Sequence, residues 1–176
     1  MSLLLIGGSV RDGSTNAAVL RTAAMFGPSV LYDGLGNLPH FNPDDDREPL
    51  HPAVAELRAA VGAADAVLFS TPEYAGGLPG SFKNLLDWTV GGGEMDRKRV
   101  AWINAASTAS PTGASDAHSS LRIVLRYAGT VIVEDAVARI PIQRDMVSDG
   151  LVQDPDLRLR IEEVVEKLLS GNLNAR

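Results

Sequence analysis

The sequence predicts an α/β fold in three layers, an open parallel sheet of five strands with helices on both faces. Three observations carry this expectation. Short apolar runs alternate along the chain with longer stretches of helical period. The connections between runs have the length of crossover helices, which are right-handed and make neighbouring strands parallel. The run Ala66-Val67-Leu68-Phe69 is apolar without alternation, as suits a strand buried on both faces.

The elements follow in order. Leu3 to Ile6 reads as the first strand and ends in Gly7-Gly8-Ser9. From Thr15 to about Met25 the pattern is helical, with Ala18, Val19, Thr22, Ala23 and Phe26 on one face. Pro28 to Tyr32 supplies a short second strand. Asp33 to Pro49, rich in Gly, Pro, Asn and Asp, reads as a long surface loop whose Asp44-Asp45-Asp46 run is solvated. His51-Pro52 opens a second helix, with Val54, Leu57, Ala60 and Val61 inward, and Ala66 to Phe69 is the third strand. A third helix is entered at Pro79, a residue suited to a first helical position, and carries Phe82, Leu85, Leu86 and Thr89 on one side. After Gly91-Gly92-Gly93 come strand four, Arg99 to Asn104, and a Ser/Thr/Ala/Gly loop, Ala105 to Ser115. A helix with Leu121, Val124, Leu125 and Ala128 inward stops at Gly129, and Thr130 to Glu134 is the fifth strand. Asp154-Pro155 caps a last helix that carries Ile161, Val164, Val165 and Leu168 and stops at Gly171. Of the common doubly wound orders, the flavodoxin-like 2-1-3-4-5 suits five strands best. Residues 1–176 are expected to form a single domain, since no repeat or linker divides them.

Composition narrows the function. Hydrophobic residues make up 45% and charged residues 22% of the chain, as in an ordinary globular protein. The formal net charge is −6 and the basic residues are scattered, which argues against a nucleic-acid surface. There is no cysteine, which excludes disulfides, thiolate catalysis and cysteine-ligated metals. No basic segment precedes the first apolar run, and no run approaches the roughly 20 apolar residues of a membrane span. The expectation is a soluble, cytoplasmic protein with no membrane or nucleic-acid partner.

Ligands of an open parallel sheet bind at the carboxyl ends of its strands, near the switch in strand order. Three loops meet there. The first, Gly8-Ser9-Val10-Arg11-Asp12-Gly13-Ser14-Thr15-Asn16, runs straight into a helix. Its hydroxyls, amide, backbone N–H groups and Arg11 present donors to an anion. A second reading fits as well, in which Ser14 or Thr15 caps the helix and Arg11 is solvated. The loop matches neither the Gly-Lys-Ser/Thr phosphate motif nor the three-glycine dinucleotide fingerprint. The second loop, Thr71 to Pro79, places Tyr74 and the small residues Gly76 and Gly77 beside the expected pocket, and also reads as a plain strand-to-helix turn. The third, Ser107 to Gly113, is made of small residues with four hydroxyls, and also reads as a simple flexible loop.

Together these segments resemble the NADPH-dependent FMN reductases, a family that includes quinone, azo-dye and chromate reductases. The resemblance covers nearly the whole chain. It rests on Gly8-Ser9-x-Arg11-x-x-Ser14-x-Asn16 and on Pro72-Glu73-Tyr74-x-x-x-x-Pro79-x-x-x-Lys83-Asn84-x-x-Asp87-Trp88, with a further echo in Asp149-Gly150-Leu151-Val152-Gln153-Asp154-Pro155. The resemblance implies that Ser9, Arg11, Ser14 and Asn16 bind the phosphate of FMN, with Thr15 contributing backbone. It implies Pro72, Glu73, Tyr74, Ala75 and Gly76 along the isoalloxazine ring, and Ser107 and Gly113 at its flank. It further implies NADPH or NADH as electron donor, a small-molecule acceptor, and a homodimer or homotetramer. One departure stands out: the family commonly has Asn after Pro-Glu-Tyr, where this chain has Ala75.

The implied activity is hydride transfer from NAD(P)H to FMN and then to a quinone, flavin, azo compound or metal oxyanion, by a ping-pong route with no side-chain acid, base or nucleophile. The alternatives are a flavodoxin-like electron carrier and a non-catalytic flavin-binding regulatory protein. No metal is expected. His40, His51 and His118 are isolated and read as helix-start or surface residues. Lys83 and Asp87 read also as an i,i+4 surface pair, and Trp88 as core.

Overall fold

The computed structural model describes residues 1–170. The first half contains β1 (Leu3–Gly7), α1 (Thr15–Ala23), β2 (Ser29–Tyr32), α2 (Pro52–Ala63), β3 (Ala66–Ser70) and α3 (Gly80–Trp88). The second half contains β4 (Arg99–Asn104), α4 (Ser115–Tyr127), β5 (Val131–Ile132) and β6 (Ala138–Arg139). It closes with β7 (Val147–Ser148), β8 (Leu151–Val152) and α5 (Pro155–Ser170). The main sheet runs β2-β1-β3-β4-β5 with every pairing parallel, the predicted flavodoxin-like order.

Successive strand residues point to opposite faces, and here both faces are covered. Leu3, Leu5, Ala66, Leu68, Ala101 and Ile103 pack with Val19, Leu20, Ile161 and Val165 of α1 and α5. Leu4, Ile6, Val67, Phe69, Val100 and Trp102 pack with Val54, Leu57, Phe82, Leu85 and Leu121 of α2, α3 and α4. Burial on both sides is why these strands show no polar alternation. The pairing register sets Gly7 opposite Ser70, so β1 and β3 end level and their loops emerge side by side.

Several expectations need correction. The fifth strand does not run from Thr130 to Glu134. It is split into β5 and β6, both paired to β4, around a 3-10 turn at Glu134–Ala136 that buries Ala136. The elements therefore do not alternate strictly, because the hairpin β7–β8 comes between β6 and α5. Pro79 is the N-cap of α3, one residue before its first turn. The stretch from Asp33 to Pro49 is a surface segment, as expected, but it is pinned to the core at several points. Leu35 is buried, the Phe41 ring stands edge-on to Trp88 at 4.9 Å, and Asn84 accepts from Phe41 N–H while donating to the Pro39 carbonyl. Asp46 leaves the solvated acidic run to pair with the buried Arg58 at 2.7 Å, and Arg58 also donates to the Trp88 carbonyl. The cap of α5 is as expected, Asp154 Oδ1 accepting from Asp156 and Leu157 N–H, whereas the stop at Gly171 lies outside the described residues.

Candidate functional site

The carboxyl ends of β1, β3 and β4 open into a cavity of about 690 Å³. Its walls bring together five of the expected residues: Thr15 and Asn16 from the first loop, Pro72 and Glu73 from the second, and Ser107 from the third. Ser9 and Arg11 line a neighbouring hollow, and Ser14 and Thr15 a second one. Tyr74 is not among the lining residues; it is exposed, with its hydroxyl 3.4 Å from Ser9 Oγ. Ala75 and Gly76 stand exposed at the tip of the second loop, and Gly113 is buried behind the third.

The first loop is closed by its own turns. Ser9 Oγ accepts from Arg11 N–H, and Ser14 N–H donates to the Arg11 carbonyl. Arg11 is exposed, its guanidinium folded back on the Gly13 carbonyl at 3.3 Å. Ser14 holds the N-cap position of α1 with an extended backbone, yet its side chain makes no capping bond. Ser14 thus takes the N-cap position and Arg11 the exposed place that the capping reading gives them, but without the side-chain bond that capping would supply. The first-turn N–H groups of α1 have no intrahelical partners, and no acidic residue stands in that turn. Asn16 is buried, and its Oδ1 accepts from Ser70 Oγ at 2.8 Å, so one end of the amide is anchored in the sheet. Gly8 is required where the first two loops touch, since a Cβ there would fall 2.1 Å from Thr71 Oγ1 and 2.5 Å from its Cβ.

The second and third loops are braced against each other by Glu73. One carboxylate oxygen accepts from Thr112 Oγ1 at 2.6 Å, the other from Asp116 and Ala117 N–H at 3.0 Å each. A residue expected only to line a ring is thus the N-terminal cap of α4, supplied from another loop. The Thr112 hydroxyl and then the Ala117 N–H hold its carboxyl below the usual range. Asn104 fixes the third loop from below, donating to the Gly113 carbonyl and accepting from Ala106 N–H. The tip of the second loop is a two-residue turn closed by reciprocal Tyr74–Gly77 hydrogen bonds of 3.0 and 3.1 Å. Its central residues, Ala75 and Gly76, both have positive φ, 51° and 73°, as in a type I′ turn. Asn tolerates that conformation better than Ala, which gives the residue usual after Pro-Glu-Tyr a backbone reason.

Sequence reasoning missed several lining residues. Ile142, Gln143 and Arg144 enter the cavity because the chain after β6 returns across α1. The signal was present in Asp149-Gly150, a hairpin dipeptide between short apolar pairs. His118 is not at the surface. It is buried against Trp102, with rings 6.4 Å apart, and neither ring nitrogen has a hydrogen-bond partner among the described residues. Burial pushes its pKa down to about 4, against the opposing pull of the Glu73 carboxylate and the Thr71 carbonyl. His51 does start a helix, its Nδ1 accepting from Ala53 N–H. Lys83 and Asp87 form the i,i+4 pair, and Trp88 is core. Among the described residues there is no cluster of His, Asp and Glu suited to a metal ion, and no helix is long and apolar enough to cross a membrane.

This arrangement fits a flat ligand that carries an anionic group. The uncapped helix start and the free Ser14 hydroxyl offer donors at one end, two braced loops offer walls at the other, and the volume lies within the roughly 300–1,000 Å³ of small-molecule sites. Comparison with known proteins agrees. Residues 1–143 match the family model of NADPH-dependent FMN reductases. A probable NADPH:quinone oxidoreductase 2 of Oryza sativa subsp. japonica is 31% identical over 94% of this chain and 84% of its own length. An NADPH azoreductase of Bacillus sp. (strain OY1-2) is 32% identical over 96% of this chain and 90% of its own. Among solved structures, the flavoenzyme NAD(P)H:(acceptor) oxidoreductase FerB of Paracoccus denitrificans superposes with a TM-score of 0.79 at 27% identity, covering 95% of this chain and 96% of that one. A flavodoxin mutant of Pseudomonas aeruginosa shares the fold with a TM-score of 0.60 at 18% identity, over 96% of this chain and 99% of that one. With the family model spanning the sheet and all three loops, the chain belongs to the NADPH-dependent FMN reductase family of oxidoreductases.

Proposed function

We propose that residues 1–176 form one FMN-binding domain that reduces a small-molecule acceptor at the expense of NAD(P)H. The observation that carries this reading is the single cavity reaching from Thr15 and Asn16 at the start of α1 to Pro72, Glu73 and Ser107. When bound there, FMN supplies the centre that accepts a hydride from NAD(P)H and returns it to a quinone, flavin, azo or metal-oxyanion acceptor in a second half-reaction. The chain's own residues bind and orient. Ser9, Arg11, Ser14, Thr15 and Asn16 hold the phosphate, using hydroxyls, the guanidinium and the free N–H groups of α1. Pro72, Glu73, Tyr74, Ala75 and Gly76 line the ring on one side, with Ser107 and Gly113 at its flank. Glu73 keeps the two ring loops in register through its bonds to Thr112 and α4. No side chain is assigned as acid, base or nucleophile, and the proton that accompanies the hydride to the acceptor would come from solvent.

A homodimer or homotetramer working in the cytoplasm, where NAD(P)H is available, completes the reading, with no nucleic-acid or membrane partner. The test is the absorbance of purified protein after FMN is added and the excess removed, followed by anaerobic NADPH or NADH. A retained flavin spectrum that bleaches, together with parallel double-reciprocal plots against an acceptor, supports the reading. Flavin retained but oxidised with both donors sinks the enzyme in favour of a carrier, and converging plots remove the ping-pong route.

A further inference from the structure

The chain between β6 and α5 turns back over α1 and is fastened there. β7 and β8 pair antiparallel through Asp149 and Gly150, whose φ values of 53° and 73° are those of a type I′ turn. Val152 N–H donates to Thr22 Oγ1 of α1 at 3.0 Å, and Gln153 N–H to the Met146 carbonyl at 2.9 Å. Arg158 of α5 donates to the Val152 carbonyl. This fastening brings Arg144, the first residue of a 3-10 turn at Arg144–Met146, to the start of α1. Arg144 lines the main cavity together with Thr15 and Asn16. It also lines the adjoining hollow with Asp12, Gly13, Ser14, Thr15 and Arg21. Its side chain is exposed, and its guanidinium makes no ion pair or hydrogen bond among the described residues.

We propose that Arg144 is a second phosphate-binding arginine, closing on the FMN phosphate from the hairpin side while Arg11 approaches from the first loop. The inference rests on the placing of that phosphate at the start of α1. A guanidinium with five unused donors matches a phosphate monoester in charge and in fork geometry. In a chain of net charge −6, a dianion gains from each cation held near it. The hairpin supplies what a free surface arginine lacks, a backbone already fixed against α1.

The experiment is titration of FMN and of riboflavin, which lacks the phosphate, into wild type, Arg144→Gln and the distant exposed Arg126→Gln. Quenching of flavin fluorescence is read at low and moderate salt. Arg144→Gln is expected to weaken FMN binding about tenfold, leave riboflavin binding unchanged and flatten the salt dependence, with Arg126→Gln like wild type. Equal weakening of both flavins, or of neither, overturns the proposal. So does unchanged FMN binding with a raised KM for NADPH, which assigns Arg144 to the donor's phosphate. A wild type that binds FMN no more tightly than riboflavin overturns the parent placement of the phosphate, and this inference with it. Melting temperatures show that the variants remain folded.

Discussion

The first loop and the junction of the second and third loops meet over the same cavity but are built in opposite ways. The junction is satisfied from within: Glu73 takes up Thr112 and two α4 N–H groups, and Asn104 takes up Gly113 and Ala106. The first loop keeps donors in reserve, with Ser14 not capping its helix and the Arg11 guanidinium bonded, among the described residues, only to the nearby Gly13 carbonyl. Walls proposed for the flat flavin ring gain from rigidity, since braced loops meet the ring without having to be ordered first. A helix start proposed to take a phosphate keeps its donors unspent, for the anion to satisfy.

Four variants break or sharpen this contrast. Gly8→Ala strikes where the two regions touch, and overlap with Thr71 is expected to cost about 1–3 kcal/mol in denaturant unfolding. Stability like wild type would show that the loops are free to part. Ser14→Ala is the inverse case: FMN affinity falls about tenfold while apoprotein stability stays within about 0.5 kcal/mol. Destabilisation by a full capping energy would return Ser14 to a structural role. Glu73→Gln is expected to lose about 1 kcal/mol of apoprotein stability at neutral pH. Since the Glu73 carboxyl is held below its ordinary value, its contribution is present above the unfolded value of about 4.3 and lost as pH falls through the folded one. The gap between variant and wild type therefore closes in acid, and a gap independent of pH counts against the charged cap. Ala75→Gly is the mildest, a gain of about 0.5–1 kcal/mol from relieving a left-handed alanine, checked by thermal melting. His118 adds a pH effect to the junction as a whole. Its folded pKa of about 4 lies below the ordinary value near 6.5, so stability declines as pH falls between the two and levels off below. Proton titration of the ring by NMR reads that value directly.

The central strands were legible as unbroken apolar runs, as at Leu3–Ile6, and the five α-helices among the described residues by a periodic apolar face, as at Ile161–Leu168. What escaped the sequence depends on distant partners. Nothing local tells Glu73 to cap a helix more than forty residues on, or Asp46 to leave an acidic run for Arg58. His118 looks like any helix residue until Trp102 is brought beside it. The motif residues Asn84 and Trp88 explain themselves only in space, where both donate to the Pro39 carbonyl and pin the 33–49 stretch. In the candidate site, the loops were legible from composition and order. The division of labour inside them was not, since a serine before a helix looks alike whether it caps or waits for a ligand.

The broken fifth strand has a consequence for how molecules of this protein meet. A sheet edge offers unpaired backbone donors and acceptors to any passing strand. Here one edge is interrupted after two residues by the turn at Glu134–Ala136, and resumes for only two more. A second strand finds no continuous ladder to extend, so this edge is poorly suited to seed aggregation even when the chain is crowded. The opposite edge, β2, is unbroken and carries the exposed Val30 and Leu31. Any strand-to-strand association of the folded protein is therefore expected to begin there.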